Sequence, residues 1–408
     1  MFNRRDFLKV SAFSSVLPWS TRGAEASTPL ETALCGIIED YLKDRSIPGG
    51  QLALARGGTM LFSKGFGMAD RDKNIAVTPR TLFRIASVSK PLTAAAILVL
   101  AEEGKLSLDA KMLDVLKVDI FLPEGTKVDP RLKDITLRHL LQHTGGWDRN
   151  KSGDVMFESQ KIAKKLGIAC PPGPRDVIRE VLARPLDTDP GTNYAYSNFG
   201  YCVLGRLVEQ ISGQPYEKFV QERVLKPAGA IGPKLGASLT QAEGESRYYT
   251  PGKEEETPVF PNLPDKVPSP YGGWCLETMD SHGGWIAAAE DIVRFAASLD
   301  DIGGKSPFKK KETWETLIAP PAGPVGHDKD GKPKGVSYGC GFNVHRSDKG
   351  AGIEHSGSLP GTTTFVWRRA DGFTWAAFFN MRHDGRSNKD ASVVAKLNKA
   401  LDESGVVK

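Results

Sequence analysis

From Pro29 to Leu42 the stretch PLETALCGIIEDYL repeats its apolar side chains at helical spacing. GQLALARGGTMLFSKGFG then reads as two strands joined at Gly57-Gly58, a hairpin signal. Next comes FRIASVSKPLTAAAILVLAEEG, Phe83 to Gly104, most of which predicts an apolar helix. Pro91 is tolerable only in a first turn, so the helix should begin near Ser87. NFGYCVLGRLVEQISG and the segment Ile286 to Leu299 predict two more helices. TTTFVWRR and FTWAAFFNM flank Ala370-Asp371-Gly372 as a second hairpin, and KDASVVAKLNKALDES closes the chain as a helix. Strands thus come from both ends, with a long, largely helical middle between them. That order predicts an α/β (α+β) fold: a mostly antiparallel sheet flanked by helices, built from 27–104 and 286–408, plus a largely helical insert over 105–285. GKEEETPVFPNLPDKVPSP and the lysine-rich GGKSPFKKKE are expected to be mobile surface loops.

With 408 residues the chain can bury a large core, and its 40% hydrophobic and 25% charged residues suit a globular protein. The net charge of +5 comes without an Arg-rich stripe interleaved with aromatics, which argues against nucleic acid as a partner. No apolar run reaches the ~18 residues of a membrane span. At the N-terminus, Arg4-Arg5 precede a modest apolar stretch from Phe7 to Trp19, followed by Ala24-Glu25-Ala26 as an A-x-A cleavage site. Residues 1–26 therefore resemble a twin-arginine export signal, with a periplasmic or secreted destination expected. The five cysteines, Cys35, Cys170, Cys202, Cys275 and Cys340, form no CxxC pair, so neither a zinc site nor a disulfide framework is indicated.

Three short motifs carry candidate chemistry. In SVSK, a start near Ser87 puts Ser87 and Lys90 on one helix face within a single turn. A serine hydroxyl is a weak nucleophile that needs a neighbouring base, and a lysine can be that base once burial lowers its pKa. The run LTAAAILVL supplies the apolar surround. Backbone N–H groups at the helix start could stabilise an oxyanion. Serine at such a place is also a common helix cap. The second motif, Tyr196-Ser197-Asn198, is the only YxN in the chain; a phenol can relay a proton and an amide can hold a carbonyl or amide. The third is His355-Ser356-Gly357, followed by Ser358. HxG also occurs at His143, His282 and His383, but only His355 lies where a strand leading into the last hairpin could line a cleft.

SxxK, then YxN, then HxG, in this order and at these separations, resembles the serine beta-lactamase and D,D-peptidase superfamily. The nearest likeness is to its class C-like branch, which includes esterases and D-aminopeptidases. ARGGTMLFSKGFGMADRD, TLFRIASVSKPLTAAAILVLAEEGKLSLD, ITLRHLLQHTGG and GGWIAAAEDIVRFAASL extend the resemblance over most of residues 30 to 385. It implies a beta-lactamase/transpeptidase-like fold, with residues 27–408 as one serine hydrolase domain needing no metal and no organic cofactor. It also implies that Ser87 forms an acyl-enzyme, that Lys90 and Tyr196 move protons, and that Asn198 positions substrate. The N–H groups of Ser87 and Ser358 would form the oxyanion hole. His355 and Gly357 stand where beta-lactamases and D,D-peptidases carry a KTG motif. A histidine near its reference pKa of about 6.5 offers less charge than lysine to grip a carboxylate. The expected substrate is therefore a carboxylic ester or a peptide or amide bond in a small molecule or peptide. Beta-lactamase and D,D-carboxypeptidase activities are the alternatives, and a non-catalytic binding protein is the alternative of another class.

Other features read as structural. HLLQH places His139 and His143 four apart, yet lacks the glutamate of HExxH. GFGMAD lacks the third glycine of a dinucleotide fingerprint, no GxSxG is present, and Ser306–Lys309 is a second SxxK inside a polar loop. His282 precedes a Gly-Gly turn and is a candidate for substrate contact. Trp147, Trp274 and Trp285 each adjoin a Gly-Gly pair and could wall an apolar pocket or pack in the core.

Overall fold

The first hairpin joins β1 (Gly49–Arg56) to β2 (Thr59–Asp70) in the computed structural model, which describes residues 28–122, 125, 127–252, 255–382 and 390–405. The expected export segment and His383 lie outside the described residues. Further strands are β3 (Ile75–Ala76), β4 (Phe83–Arg84), β5 (Lys234–Leu235), β6 (Glu255–Glu256), β7 (Val267–Pro268), β8 (Trp285–Ala287), β9 (Val336–Tyr338), β10 (Asn343–Ser347), β11 (Gly350–Leu359), β12 (Thr362–Arg368) and β13 (Phe373–Phe379). The main sheet is antiparallel, with order β3-β2-β1-β13-β12-β11-β10-β9. The hairpins of the two chain ends therefore meet at its centre, where β1 pairs with β13. This is the antiparallel α/β arrangement that the order of elements predicts.

The alternation of side chains on the central strands decides what packs on each face. Leu52 and Leu54 of β1, with Phe373, Trp375 and Phe379 of β13, face the helices Pro29–Asp44 and Asp390–Glu403, whose Leu34, Ile38, Val393 and Leu397 complete a rear core. Ala53, Ala55, Ala376 and Phe378 face the opposite way, into the larger front core. The small alanines let the helix Ala289–Ser298 lie close on this face. In front runs the helix Ser89–Glu102, buried from Ser89 through Leu100, and it packs on the helix Asn198–Ser212. A helix apolar all round belongs inside a core. A small sheet, β4-β8-β5, links the segment ahead of Ser87 to the end of the insert.

Two predicted elements differ. The helix read from Ile286 begins only at Ala289, because Trp285–Ala287 form β8 against Phe83 and Arg84. The lysine-rich stretch at 303–312 is anchored rather than loose: Ser306 and Phe308 are buried, and Ser306 Oγ donates to Leu299 O at 3.0 Å. The Glu102 carboxylate accepts from the N–H groups of Lys309 and Lys310, tying the following helix to the helix Ser89–Glu102.

Candidate active site

Ser87 lies in a 3-10 turn, Ala86–Val88, that runs into the helix Ser89–Glu102, so the helix proper starts two residues after the serine. Ala86 holds a left-handed φ of 47°, a strained conformation for a residue with a Cβ. Strands β11 and β12 hold the turn in place. The hydroxyls of Thr362 and Thr364 donate to the carbonyls of Arg84 and Ile85, each at 2.8 Å. A Cβ on Gly357 would lie 2.3 Å from Ile85 O, so only glycine admits this approach of β11.

Lys90 is fully buried one turn on. Burial drives its pKa well below the ordinary lysine value; Asp154 opposes that and Arg149 adds to it. Its Nζ lies 2.7 Å from Asn198 Oδ1, 2.9 Å from His282 O and 3.1 Å from Ser87 Oγ. Asn198 Nδ2 donates to the Asp154 carboxylate at 2.6 Å, which settles that Oδ1 is the end facing Lys90. A neutral amine has two N–H bonds and one lone pair. Asn198 Oδ1 and His282 O can only accept, so they take both N–H bonds. In that neutral form the lone pair is left for the Ser87 hydroxyl, whereas a protonated amine donates to it.

Tyr196 lies beside Ser87, and Lys90 Nζ lies 4.7 Å from its ring centroid. Removal from water pushes the phenol pKa up, against the opposing influence of Ser87 and the Arg149 charge, so it carries its proton at neutral pH. Ser197, not Asn198, caps the following helix: its Oγ accepts from Gly200 N–H at 3.2 Å. Asn198 is thereby released to bridge Lys90 and Asp154.

His355 is buried on β11 with both ring nitrogens occupied within the protein. Nδ1 donates to Ser356 O at 2.7 Å and Nε2, 3.0 Å from the Tyr338 hydroxyl, accepts from it. Burial, with Lys90, pushes its pKa down to about 3, so it is neutral. Ser87, Asn198, His282 and Ser358 line a cleft of about 280 Å³ together with Arg149, Asp154, Phe157 and Arg382. Lys90, His355 and Gly357 are buried behind it. His282 supplies its carbonyl to Lys90, while its ring Nε2 has no hydrogen-bond partner among the described residues. A larger cavity of about 670 Å³ lies beside the Gly57-Gly58 turn, but its Arg368 and Asp300 are paired with each other.

Arg149 and Asp154 were not among the candidates read from sequence. Both belong to a polar stretch without spacing signal, and the fold alone brings them to Asn198 and Tyr196, with Arg149 Cζ 4.6 Å from the Tyr196 ring centroid. The three tryptophans are core residues: Trp147 packs edge-on to Phe199, Trp274 lies near Arg84, and Trp285 donates to the Tyr216 hydroxyl. His139 caps its helix by accepting Thr136 N–H at 3.2 Å. All five cysteines are free thiols.

A model of the Beta-lactamase family matches residues 35–399. The chain belongs to the beta-lactamase family. It is 34% identical over 391 residues to esterase EstB of Burkholderia gladioli, covering 88% of this chain and 92% of that one. Penicillin-binding protein 4* of Bacillus subtilis (strain 168) is 28% identical over 331 residues, 79% of this chain, and the match spans 65% of that protein's length. In fold it resembles the D-amino acid amidase of Ochrobactrum anthropi SV3, with a TM-score of 0.69 at 22% identity, covering 92% and 99% of the two chains. This beta-lactamase-family chain is thus a serine hydrolase whose relatives include an esterase and penicillin-binding proteins, and it shares its fold with an amidase.

Proposed function

We propose that the protein hydrolyses carboxylic ester or amide bonds through an acyl-enzyme on Ser87. The observation that carries this reading is the buried Lys90 amine, whose lone pair is left to the Ser87 hydroxyl. Ser87 Oγ attacks the carbonyl carbon while its proton passes to Lys90 Nζ. The oxyanion forms against the backbone N–H groups of Ser87 and Ser358. As the carbon–oxygen or carbon–nitrogen bond breaks, the leaving alkoxide or amine takes the proton back, directly from Lys90 or relayed by the Tyr196 hydroxyl. Water then attacks the Ser87 ester, giving up one proton by the same route, and the carboxylic acid leaves with Ser87 restored.

A neutral substrate is favoured, because an uncharged His355 stands where a KTG motif has its lysine and offers no cation there to a substrate carboxylate. EstB, an esterase by name, matches over 88% of this chain and 92% of its own length, and this supports an ester first. Export through the Arg4-Arg5 signal would deliver the folded enzyme to the periplasm or medium, and fractionation of expressing cells tests that. For the chemistry, Ser87→Ala should abolish p-nitrophenyl ester hydrolysis with the fold intact by circular dichroism. A fluorophosphonate probe should label Ser87 and spare Ser306. Activity persisting in Ser87→Ala would mean that another residue is the nucleophile. Assaying an ester, nitrocefin and a D-amino acid amide side by side ranks the alternatives, and dominant nitrocefin turnover would overturn the neutral-substrate reading.

A further inference from the structure

His143 lies in none of the roles above, yet it touches the chain on both sides of Tyr196. It follows the helix Leu137–Leu141, is buried, and holds a left-handed φ of 57°. Its carbonyl accepts Ala195 N–H at 2.8 Å, and its ring Nδ1 accepts Ser197 N–H at 3.2 Å. The residue before Tyr196 and the residue after it are thus both hydrogen-bonded to this one histidine. The imidazole also packs against the Tyr196 ring, with centroids 4.4 Å apart, and equally close to Tyr338, whose hydroxyl meets His355. An Nδ1 that accepts must be unprotonated, so the ring proton sits on Nε2, which has no acceptor among the described residues. Burial, the largest cause, pushes its pKa well below the ordinary histidine value, in keeping with that neutral form.

A structural histidine could be replaced by any apolar ring of similar size. The left-handed backbone and the acceptor placed on a buried N–H give this one a more specific task. Tyr196 is contacted on its ring by Lys90, Arg149 and His143, but only His143 fixes the backbone from which the phenol projects.

We propose that His143 is a positioning residue that sets the Tyr196 hydroxyl against Ser87 by gripping the backbone on either side of the phenol. The proposal rests on the reading of Tyr196 as the proton relay. Displacing a reacting group by about 1 Å can slow a reaction by about a hundredfold. Loss of the acceptor in His143→Phe should therefore lower kcat for a p-nitrophenyl ester about tenfold to a hundredfold with little change in KM. His143→Asn, which can offer Oδ1 to Ser197 N–H, should recover much of that loss, and it keeps the test open if the phenylalanine variant fails to fold.

The deciding experiment is a double-mutant cycle with Tyr196→Phe. If His143 acts through the Tyr196 hydroxyl, replacing it in the Tyr196→Phe background should cause little further fall in kcat. An equal fall in both backgrounds overturns the proposal and leaves the Tyr196 reading standing. Wild-type kcat in Tyr196→Phe alone would overturn both. A KM rise without a kcat fall in the His143 variants would also overturn it, since that is loss of binding rather than of relay geometry.

Discussion

Lys90 is a charged residue type placed where no charge is easily held, and that conflict can be measured as a function of pH. An unfolded chain exposes this amine at its ordinary pKa of about 10.4, whereas burial depresses it in the folded protein. Between those two pKa values the unfolded state binds a proton that the folded state does not. Stability must therefore rise with pH across that window and lose this contribution as pH falls through the folded pKa. Lys90→Met removes the slope. Urea unfolding of both proteins at several pH values should show the wild type gaining on the variant as pH rises. Parallel curves would mean that the folded amine is charged and that its lone pair is not available to Ser87. In kinetics the same depression predicts that kcat/KM climbs to its plateau below the ordinary lysine range.

At the scale of elements, the Ser87 turn is a short segment clamped by strands, and Gly357 is where the clamp is tightest. An added methyl would meet Ile85 O and Thr364 Oγ1, each at 2.3 Å, neither of which can move without breaking their mutual hydrogen bond. Gly357→Ala should therefore push β11 off the turn. Overpacking of this kind typically destabilises by about 1–3 kcal/mol. Here the larger effect is expected in kcat, because Ser358 travels with the strand; unchanged kcat with lowered stability would separate β11 from oxyanion placement. This contact also explains what could be read in advance. Ser87 and Lys90 were legible because their relation is local, one turn of one helix. Tyr196, Asn198 and Gly357 were legible from motif order, since nothing local distinguishes YSN from an ordinary helix cap. Asp154 and Arg149, from one polar stretch, and Tyr338, from β9, were not, because they reach the site through tertiary packing. His143 reads from sequence as loop or helix-end packing, and the structure places it just past the helix that ends at Leu141. At Trp285–Ala287 the apolar run extended a helix pattern that pairing with Phe83 and Arg84 turns into strand.

Across the whole molecule the sheet separates two cores with different tasks. The front core surrounds the helix Ser89–Glu102 and reaches from Phe83 through Tyr201 to Trp285. The rear core seals the sheet with the first and last described helices and contains none of Ser87, Lys90, Tyr196 or Asn198. The two lie on opposite faces of the central strands, with Ala53, Ala55, Ala376 and Phe378 facing forward and Leu52, Leu54, Phe373, Trp375 and Phe379 facing back. Leu397, fully buried in the rear core, tests this division. Leu397→Ala should cost about 2–5 kcal/mol of stability, the usual range for a buried leucine truncation. Its kcat and KM for an ester, measured well below the melting temperature, should match the wild type. Thermal unfolding and steady-state kinetics on the same preparation provide the comparison. If kcat falls in proportion to stability, the sheet transmits rear-core packing to the β11–Ser87 contact and the two faces form one mechanical unit. If only the melting temperature falls, the helices at the two ends of the chain serve to close the sheet, and the chemistry belongs to its front face.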